Sequence, residues 1–366
     1  MIRILRPVAL GFCLAVGVAT SGVAAPTHQT QNLFLITVDG FRWQEVFTGA
    51  EEALIAKGYG VQDTNRLRGM FWSANPEKRR RALLPFFWSV IAEKGQLFGN
   101  RNKGSVAEVT NGKKFTYPGF NEIFTGSPDA RIDKNEKRNN PNVSVFEWLH
   151  QKPAFKGRIV GFANWDVHPY ILNTERSGIP VWTGLDTNFP VAKGSRLELI
   201  QQIEQDTTEI WRDMSFDSFF VNAARVYLEE KQPRVVWVAF GETDEWAHEG
   251  NYERYLFAAH NTDNYIRQLW EKAQSLPAYR GKTTFVITCD HGRGTGPDWR
   301  NHGAKIEGAE KVWLAVLGPD TRPLGERQNI GRVTHSQLAA TIAELLGEDY
   351  HAAVPKSGEP IRDVLP

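Results

Sequence analysis

Leu33-Phe34-Leu35-Ile36-Thr37-Val38 runs straight into Asp39-Gly40. An apolar, β-branched run that stops at an acidic residue and a glycine reads as a buried strand ending in a turn. Two later stretches repeat the form. Val235-Val-Trp-Val-Ala-Phe240 leads into Gly241-Glu242-Thr243-Asp244, and Thr284-Phe-Val-Ile-Thr-Cys289 leads into Asp290-His291-Gly292. Strands that are apolar throughout, instead of alternating, suit a sheet covered on both faces, which argues for a largely parallel sheet between helices.

Working outward, 158–162 and 312–317 read as two further strands, and helices are expected over 83–94, 143–151, 196–214, 216–231, 252–274 and 336–346. The expected fold is therefore α/β, a three-layer α/β/α sandwich around a mostly parallel central sheet. Two stretches resist the pattern. Residues 40–81 are mixed and end in the basic cluster Lys78–Arg81, read as a solvated face. Residues 165–196 are rich in Pro, Gly and Asn and carry Trp165, Tyr170, Trp182 and Phe189. A loop of that length inside a compact domain points to an insertion lining a binding site.

The chain has 366 residues, 43 Lys+Arg against 42 Asp+Glu, and 41 % apolar residues. It can fill a core, and a formal charge of +1 gives no global reason to bind a nucleic acid duplex or an anionic membrane. Its 2 Cys exclude a disulfide framework and any cysteine-based zinc module. At the start, Arg3 and Arg6 precede an apolar run from Val8 to Val23 that ends in small residues, the form of a cleaved secretory signal over 1–25. The expected arrangement is a leader followed by a single catalytic domain over 26–366, with the insertion at about 165–196, periplasmic or secreted and with no membrane span after cleavage. Cleavage removes Cys13, leaving Cys289, which as the end of an apolar strand is expected to be buried and inert.

If the three strands run parallel, Asp39, Asp244 and Asp290 emerge together at the carboxyl edge of the sheet, where open α/β sheets bind ligands. Gathered carboxylates repel unless a cation offsets them. Asp244 and His248, one helical turn apart, share a face. His291 adjoins Asp290, and His302 follows a glycine-rich turn. A donor set of Asp and His without Cys suits zinc, with manganese or magnesium open. Thr116-Tyr117-Pro118-Gly119 precedes a short helix expected over 120–124 and opened by Pro118, and Thr116 is expected at or just before its start, where backbone N–H groups favour an anion. A metal holding that hydroxyl as an alkoxide would make Thr116 both a metal ligand and a candidate nucleophile.

In this order and spacing, these residues resemble the alkaline phosphatase superfamily of two-metal phospho- and sulfohydrolases, and within it the nucleotide pyrophosphatase/phosphodiesterase-like branch. The resemblance runs from the Asp39 strand to the 336–346 helix. It implies an alkaline-phosphatase-like fold and two divalent metal ions, one held by Asp244, His248 and His302 and the other by Asp39, Asp290 and His291, with Thr116 beside it. It further implies in-line attack by Thr116 and a covalent phospho-threonine intermediate. The branch's usual Thr-Phe-Pro-Asn pattern is altered here, with Tyr117 and Gly119 in place of Phe and Asn. A phosphate-binding Asn is expected about twenty residues on, where Asn135, Asn139 and Asn140 all stand. Cys-x-Pro-x-Arg is absent, which excludes the formylglycine-dependent sulfatase route. Arg42, Lys113, Lys114 and Arg131 are read as surface charge. His335, in a stretch common near the end of such domains, is read as structural.

The expected activity is thus an exported two-metal hydrolase of phosphate esters, diesters ahead of monoesters, acting on a small phosphorylated substrate. Alternatives are a phosphomonoesterase or phosphotransferase on the same scaffold and, from a different class, a binding protein that keeps the fold without catalysis.

Overall fold

A computed structural model describes residue 2 and residues 28–184 and 188–366. The expected leader over 1–25 falls, apart from Ile2, outside them. Ten strands are present among the described residues: β1 (Asn32–Val38), β2 (Gln96–Phe98), β3 (Ala107–Glu108), β4 (Ile159–Ala163), β5 (Val181–Trp182), β6 (Val235–Phe240), β7 (Thr283–Thr288), β8 (Leu314–Leu317), β9 (Gly325–Glu326) and β10 (Val333–Thr334). Eight form one sheet in the order β5-β4-β6-β1-β7-β8-β2-β9, while β10 and β3 pair separately. Within the large sheet β8 runs antiparallel to both β7 and β2, and the other pairings are parallel.

The alternation of side chains along the strands explains the layers. Phe34, Ile36 and Val38 face one core with Val236, Val238, Phe240, Phe285 and Ile287, under the helices Asp217–Lys231 and Tyr252–Ser275. Leu33 and Leu35 face the other with Val235, Trp237 and Val286, under the helices Thr116–Thr125, Val145–His150 and Leu338–Leu345. All seven residues of β1 are buried, so neither face can be polar, and the three-layer α/β/α arrangement follows.

Local chemistry accounts for the departures from expectation. The helix expected over 83–94 is split: Pro76–Leu83 ends before Pro85, and the chain resumes as a wide turn over Phe87–Ile91. The helix expected over 196–214 stops at Asp206. Residues 40–81 fold into helices at Trp43–Thr48, Thr64–Phe71 and Pro76–Leu83. The Lys78–Arg81 cluster is not wholly solvated, because Arg80 is buried, lies 3.5 Å over the Trp88 ring and pairs with Glu326 at 3.2 Å. Residues 165–196 are not one loop. They contain short helices at His168–Ile171 and Thr174–Ser177 and the edge strand β5, and Phe189 packs into the core against Phe162, Tyr227 and the buried Trp182. Among the described residues no helix is long and apolar enough to cross a membrane.

Candidate active site

β1 lies between β6 and β7, parallel to both, with Val38 beside Phe240 and Thr37 beside Thr288. All three chains therefore leave the sheet at the same edge. Asp39 follows β1 directly and its N–H donates to Phe240 O at 2.8 Å. β6 turns through Gly241 into the Glu242–His248 helix, whose Thr243 hydroxyl donates to Asp39 O at 2.6 Å. β7 continues to Asp290, whose Oδ1 accepts from Gly40 N–H at 3.1 Å. The turn after β1 must be tight, since a Cβ on Gly40 (φ 55°) would stand 2.4 Å from Asp244 Oδ1 and 2.7 Å from Arg293 Nε.

Two groups of converging donor atoms result, one from Asp244, His248 and His302 and one from Asp39, Asp244 and His291. His248 Nε2 lies 2.9 Å from Asp244 Oδ2 and 2.9 Å from His302 Nε2. His291 Nε2 lies 3.2 Å from Asp39 Oδ1, 3.6 Å from Asp290 Oδ2 and 3.7 Å from Asp244 Oδ1. His291 Nδ1 is 3.0 Å from Gly292 O, and His302 Nδ1 is 3.4 Å from Lys114 O. Each ring can thus donate from Nδ1 to a carbonyl and present an unprotonated Nε2, the orientation a metal ligand needs.

The electrostatics fit cations. Asp39, Asp244, Asp290 and His291 are all buried. Burial, then Asp244, raises the Asp39 carboxyl well above its ordinary value. Burial, then Asp39, raises Asp290. Asp244 goes the other way: burial works to raise it, but Arg293 and His248 together pull it well below the usual carboxylate range. Asp39 Oδ1 and Asp290 Oδ2 are buried without a hydrogen-bond partner. Unpaired buried carboxylate oxygens facing imidazole nitrogens are the donor set that a hard or borderline divalent ion satisfies. The residues present therefore fit two such ions, with Asp244 reaching towards both groups and Asp290 beside the second.

Thr116 is the first residue of its ten-residue helix, 3 % exposed, with Oγ1 3.5 Å from His291 Nε2. It lines, with Asp39, Asp244, His248 and His302, a cleft of about 140 Å³. A larger groove of about 400 Å³ between the helices Arg196–Asp206 and Asp217–Lys231 holds none of the residues picked out from sequence.

Of the three asparagines, Asn135 alone lines this cleft, and its Oδ1 accepts from Tyr117 N–H at 2.9 Å. Asn139 bonds Glu175, and Asn140 is buried against Asn121. Arg42 is not surface charge as expected. It is fully buried, paired with Glu45 and Glu51, and donates to Gly294 O at 3.2 Å. His335 is buried, with Nε2 3.0 Å from Thr288 Oγ1, beneath the end of β7. Cys289 is fully buried and burial pushes its thiol up.

Sequence reasoning missed several contributors. Arg293, 1 % exposed, donates to the Asp244 carboxylate, to Asp244 O at 3.1 Å and to Arg300 O at 2.6 Å. It ties the Asp244 helix to the turn that carries His302, and its position directly after Asp290-His291-Gly292 was the available signal. Glu122 accepts from Thr110 N, Thr110 Oγ1, Asn111 N, Asn111 Nδ2 and Ser336 Oγ at 2.8–3.0 Å. It thereby anchors the loop leading to Lys114, whose carbonyl also accepts from Gly303 N–H at 2.9 Å. Nothing local in the sequence marks Glu122 for that role.

Residues 181–350 match the Metalloenzyme superfamily, and this segment carries Asp244, His248, Asp290, His291 and His302. No curated protein matches by sequence. Among solved structures, the chain is similar to the lipoteichoic acid synthase LtaP from Listeria monocytogenes, with a TM-score of 0.56 at 12 % identity over 87 % of this chain and 72 % of that one. It is also similar to murine ectonucleotide pyrophosphatase/phosphodiesterase 5, with a TM-score of 0.54 at 13 % identity over 92 % of this chain and 100 % of that one. The phosphonate monoester hydrolase from Silicibacter pomeroyi gives a TM-score of 0.54 at 13 % identity over 91 % and 76 %. The chain has the alkaline-phosphatase-like fold, and its carboxylates and imidazoles gather at the carboxyl edge of the sheet.

Proposed function

We propose that this protein is an exported metal-dependent hydrolase of phosphate esters, diesters ahead of monoesters, with Thr116 as nucleophile. The observation that carries the reading is the Thr116 hydroxyl at a helix start, 3.5 Å from His291 Nε2 and in one cleft with Asp39, Asp244, His248 and His302. In this reading Asp244, His248 and His302 hold one divalent ion, and Asp39, Asp290 and His291 the other, zinc being the ion that suits the donors. When bound, the ions supply Lewis-acid stabilisation of charge at the attacking and leaving oxygens.

The chain's own groups do the rest. The Thr116 hydroxyl gives its proton to solvent as Oγ1 attacks phosphorus, the P–O bond to the leaving oxygen breaks and that oxygen takes a proton from water to depart as the alcohol, and the resulting phospho-threonine is later hydrolysed by water. The first-turn N–H groups of the Thr116–Thr125 helix favour the anion there. Asn135 accepts from Tyr117 N–H through Oδ1, which leaves its Nδ2 to donate to a phosphate oxygen. Among the described residues no lysine or arginine lines the cleft, and a dianionic monoester asks for one more than a monoanionic diester does. The leader-like start at Arg3 and Arg6 supports export.

The test is a matched set of aryl substrates, a phosphate monoester, a diester and a sulfate, on zinc-loaded protein and on Thr116→Ala with metal content checked. Diester cleavage that is fastest in the set and lost in Thr116→Ala is expected. Faster monoester or sulfate cleavage would redirect the substrate class, and undiminished turnover in the variant would remove Thr116 as nucleophile.

A further inference from the structure

Beyond the residues gathered at Thr116, the same cleft is lined by Asn164, Trp165, Asp213 and Glu245. Asn164 is 1 % exposed. Its Nδ2 donates to Asp217 Oδ1 at 2.8 Å, while its Oδ1 has no partner. Trp165 is half-buried and held in place by its Nε1, which donates to Asp213 Oδ2 at 3.0 Å, and by a bridge to Met214. Neither Asp213 nor Glu245 enters an ion pair among the described residues. The nearby Lys137 is engaged with Asp166 at 2.5 Å.

The charge balance makes this wall unusual for a phosphate site. Two divalent ions and the Arg293 guanidinium on Asp244 would outweigh Asp39, Asp244 and Asp290 by two positive charges, of which a diester anion consumes one. Asp213 and Glu245, neither of them ion-paired among the described residues, then outnumber the one remaining positive charge around an indole ring. The wall offers the buried Asn164 oxygen and two carboxylates, all acceptors. The ligand group that meets such a wall carries positive charge and several N–H donors, and the face of a tryptophan favours a cation as well. A quaternary ammonium brings the charge but no donor for Asn164. A primary ammonium brings both.

We infer that Asn164, Trp165, Asp213 and Glu245 form a subsite for a primary ammonium group on the ester substituent of the substrate, so that aminoalkyl phosphodiesters are the preferred class. This rests on the phosphodiester hydrolase reading above.

The test compares three p-nitrophenyl phosphodiesters on the zinc-loaded full chain, with a 2-aminoethyl, a 2-(trimethylammonio)ethyl or a propyl group as second substituent and enzyme-free rates subtracted. The expected kcat/KM for the aminoethyl ester exceeds that for the propyl ester by about tenfold or more, the scale of hydrogen bonds to a charged group, with the trimethylammonio ester between them. In Asp213→Asn and in Glu245→Gln, both isosteric, the aminoethyl-to-propyl ratio falls towards one. Equal cleavage of the aminoethyl and propyl esters, or a ratio unmoved by both variants, overturns the subsite and leaves the hydrolase reading standing. A trimethylammonio ester cleaved as well as the aminoethyl ester overturns the assignment to a primary ammonium. Failure to cleave any of the three overturns the hydrolase reading and the subsite with it.

Discussion

Gly119 stands in the first turn of the helix that begins with Thr116, and a Cβ there would lie 2.4 Å from the carbonyl oxygen of Asp290, 3.1 Å from its carbonyl carbon and 3.3 Å from its Cβ. Gly119→Ala sets two effects against each other. Helix propensity alone favours alanine by about 1 kcal/mol. The clash is with backbone, which cannot rotate away as a flexible side-chain end would. Opening the contact to an ordinary carbon–oxygen separation of about 3.3 Å needs roughly 0.9 Å of movement between the helix and the Asp290–His291 turn. Overpacking of this kind costs about 1–3 kcal/mol, so the net change in stability is a loss of up to about 2 kcal/mol. The functional cost is larger, because the movement separates Thr116 from Asp290 and His291. A misplacement near 1 Å in a reacting constellation costs on the order of 100-fold in rate. The assay is kcat on an aryl phosphodiester with metal content and melting temperature measured on the same sample. Wild-type kcat together with a raised melting temperature would show that the helix and the turn are not in the contact described, and would refute the geometry on which Thr116 depends. The same contact explains why a glycine stands where the resembling pattern has Asn.

Three further outcomes are expected. Arg293→Met removes a buried cation from Asp244, a change that costs about 3–5 kcal/mol when the partner charge is left alone, so it should lower the melting temperature of metal-free protein far more than that of zinc-loaded protein; equal losses in the two states would contradict the pairing of Arg293 with the carboxylate cluster. Chelation should destabilise the wild type, and zinc at about 100 times its Kd should restore about 2.7 kcal/mol, seen as a reversible shift in melting temperature, with no shift arguing against bound ions. Asp263, whose carboxyl accepts from Phe86 and Phe87 N–H at 2.8 Å, is pushed up to about 7 by burial. The folded chain thus holds this proton more tightly than the unfolded one, so the contribution is fully present below about pH 4 and is lost as pH rises to about 7, by up to 1.4 kcal/mol per unit. Asp263→Asn should flatten that part of the stability–pH profile, and an unchanged slope would refute the assignment.

Much of the site was legible because its signals are local. Asp39, Asp244 and Asp290 each end an apolar run, and a strand end at a turn needs only neighbouring residues to be recognised. Asp244 and His248 needed one helical turn, and Thr116 a Pro two positions later. Where the signal was non-local the reading failed or stayed open. Arg42 and Arg80 look like surface charge in a string of letters, yet both are buried: Glu51, Glu326 and the Trp88 ring meet them from beyond their own helical turn, and only the Arg42–Glu45 pair is local. The aromatics of 165–196 looked like one lining set, but Trp182 and Phe189 went into the core and Trp165 to the cleft.

The sequence by itself determined the sheet's central strands, the edge at which the carboxylates emerge and the kind of donor set they make, since an apolar run, its period and its terminating turn are properties of consecutive residues. Tertiary structure decided which of three asparagines lines the cleft with Thr116, that Arg293 pairs with Asp244, that Glu122 holds the loop behind His302, and that β8 runs against its neighbours. Those choices depend on which distant groups are brought together, because hydrogen bonds form only within about 3 Å and charges act most strongly where water is excluded.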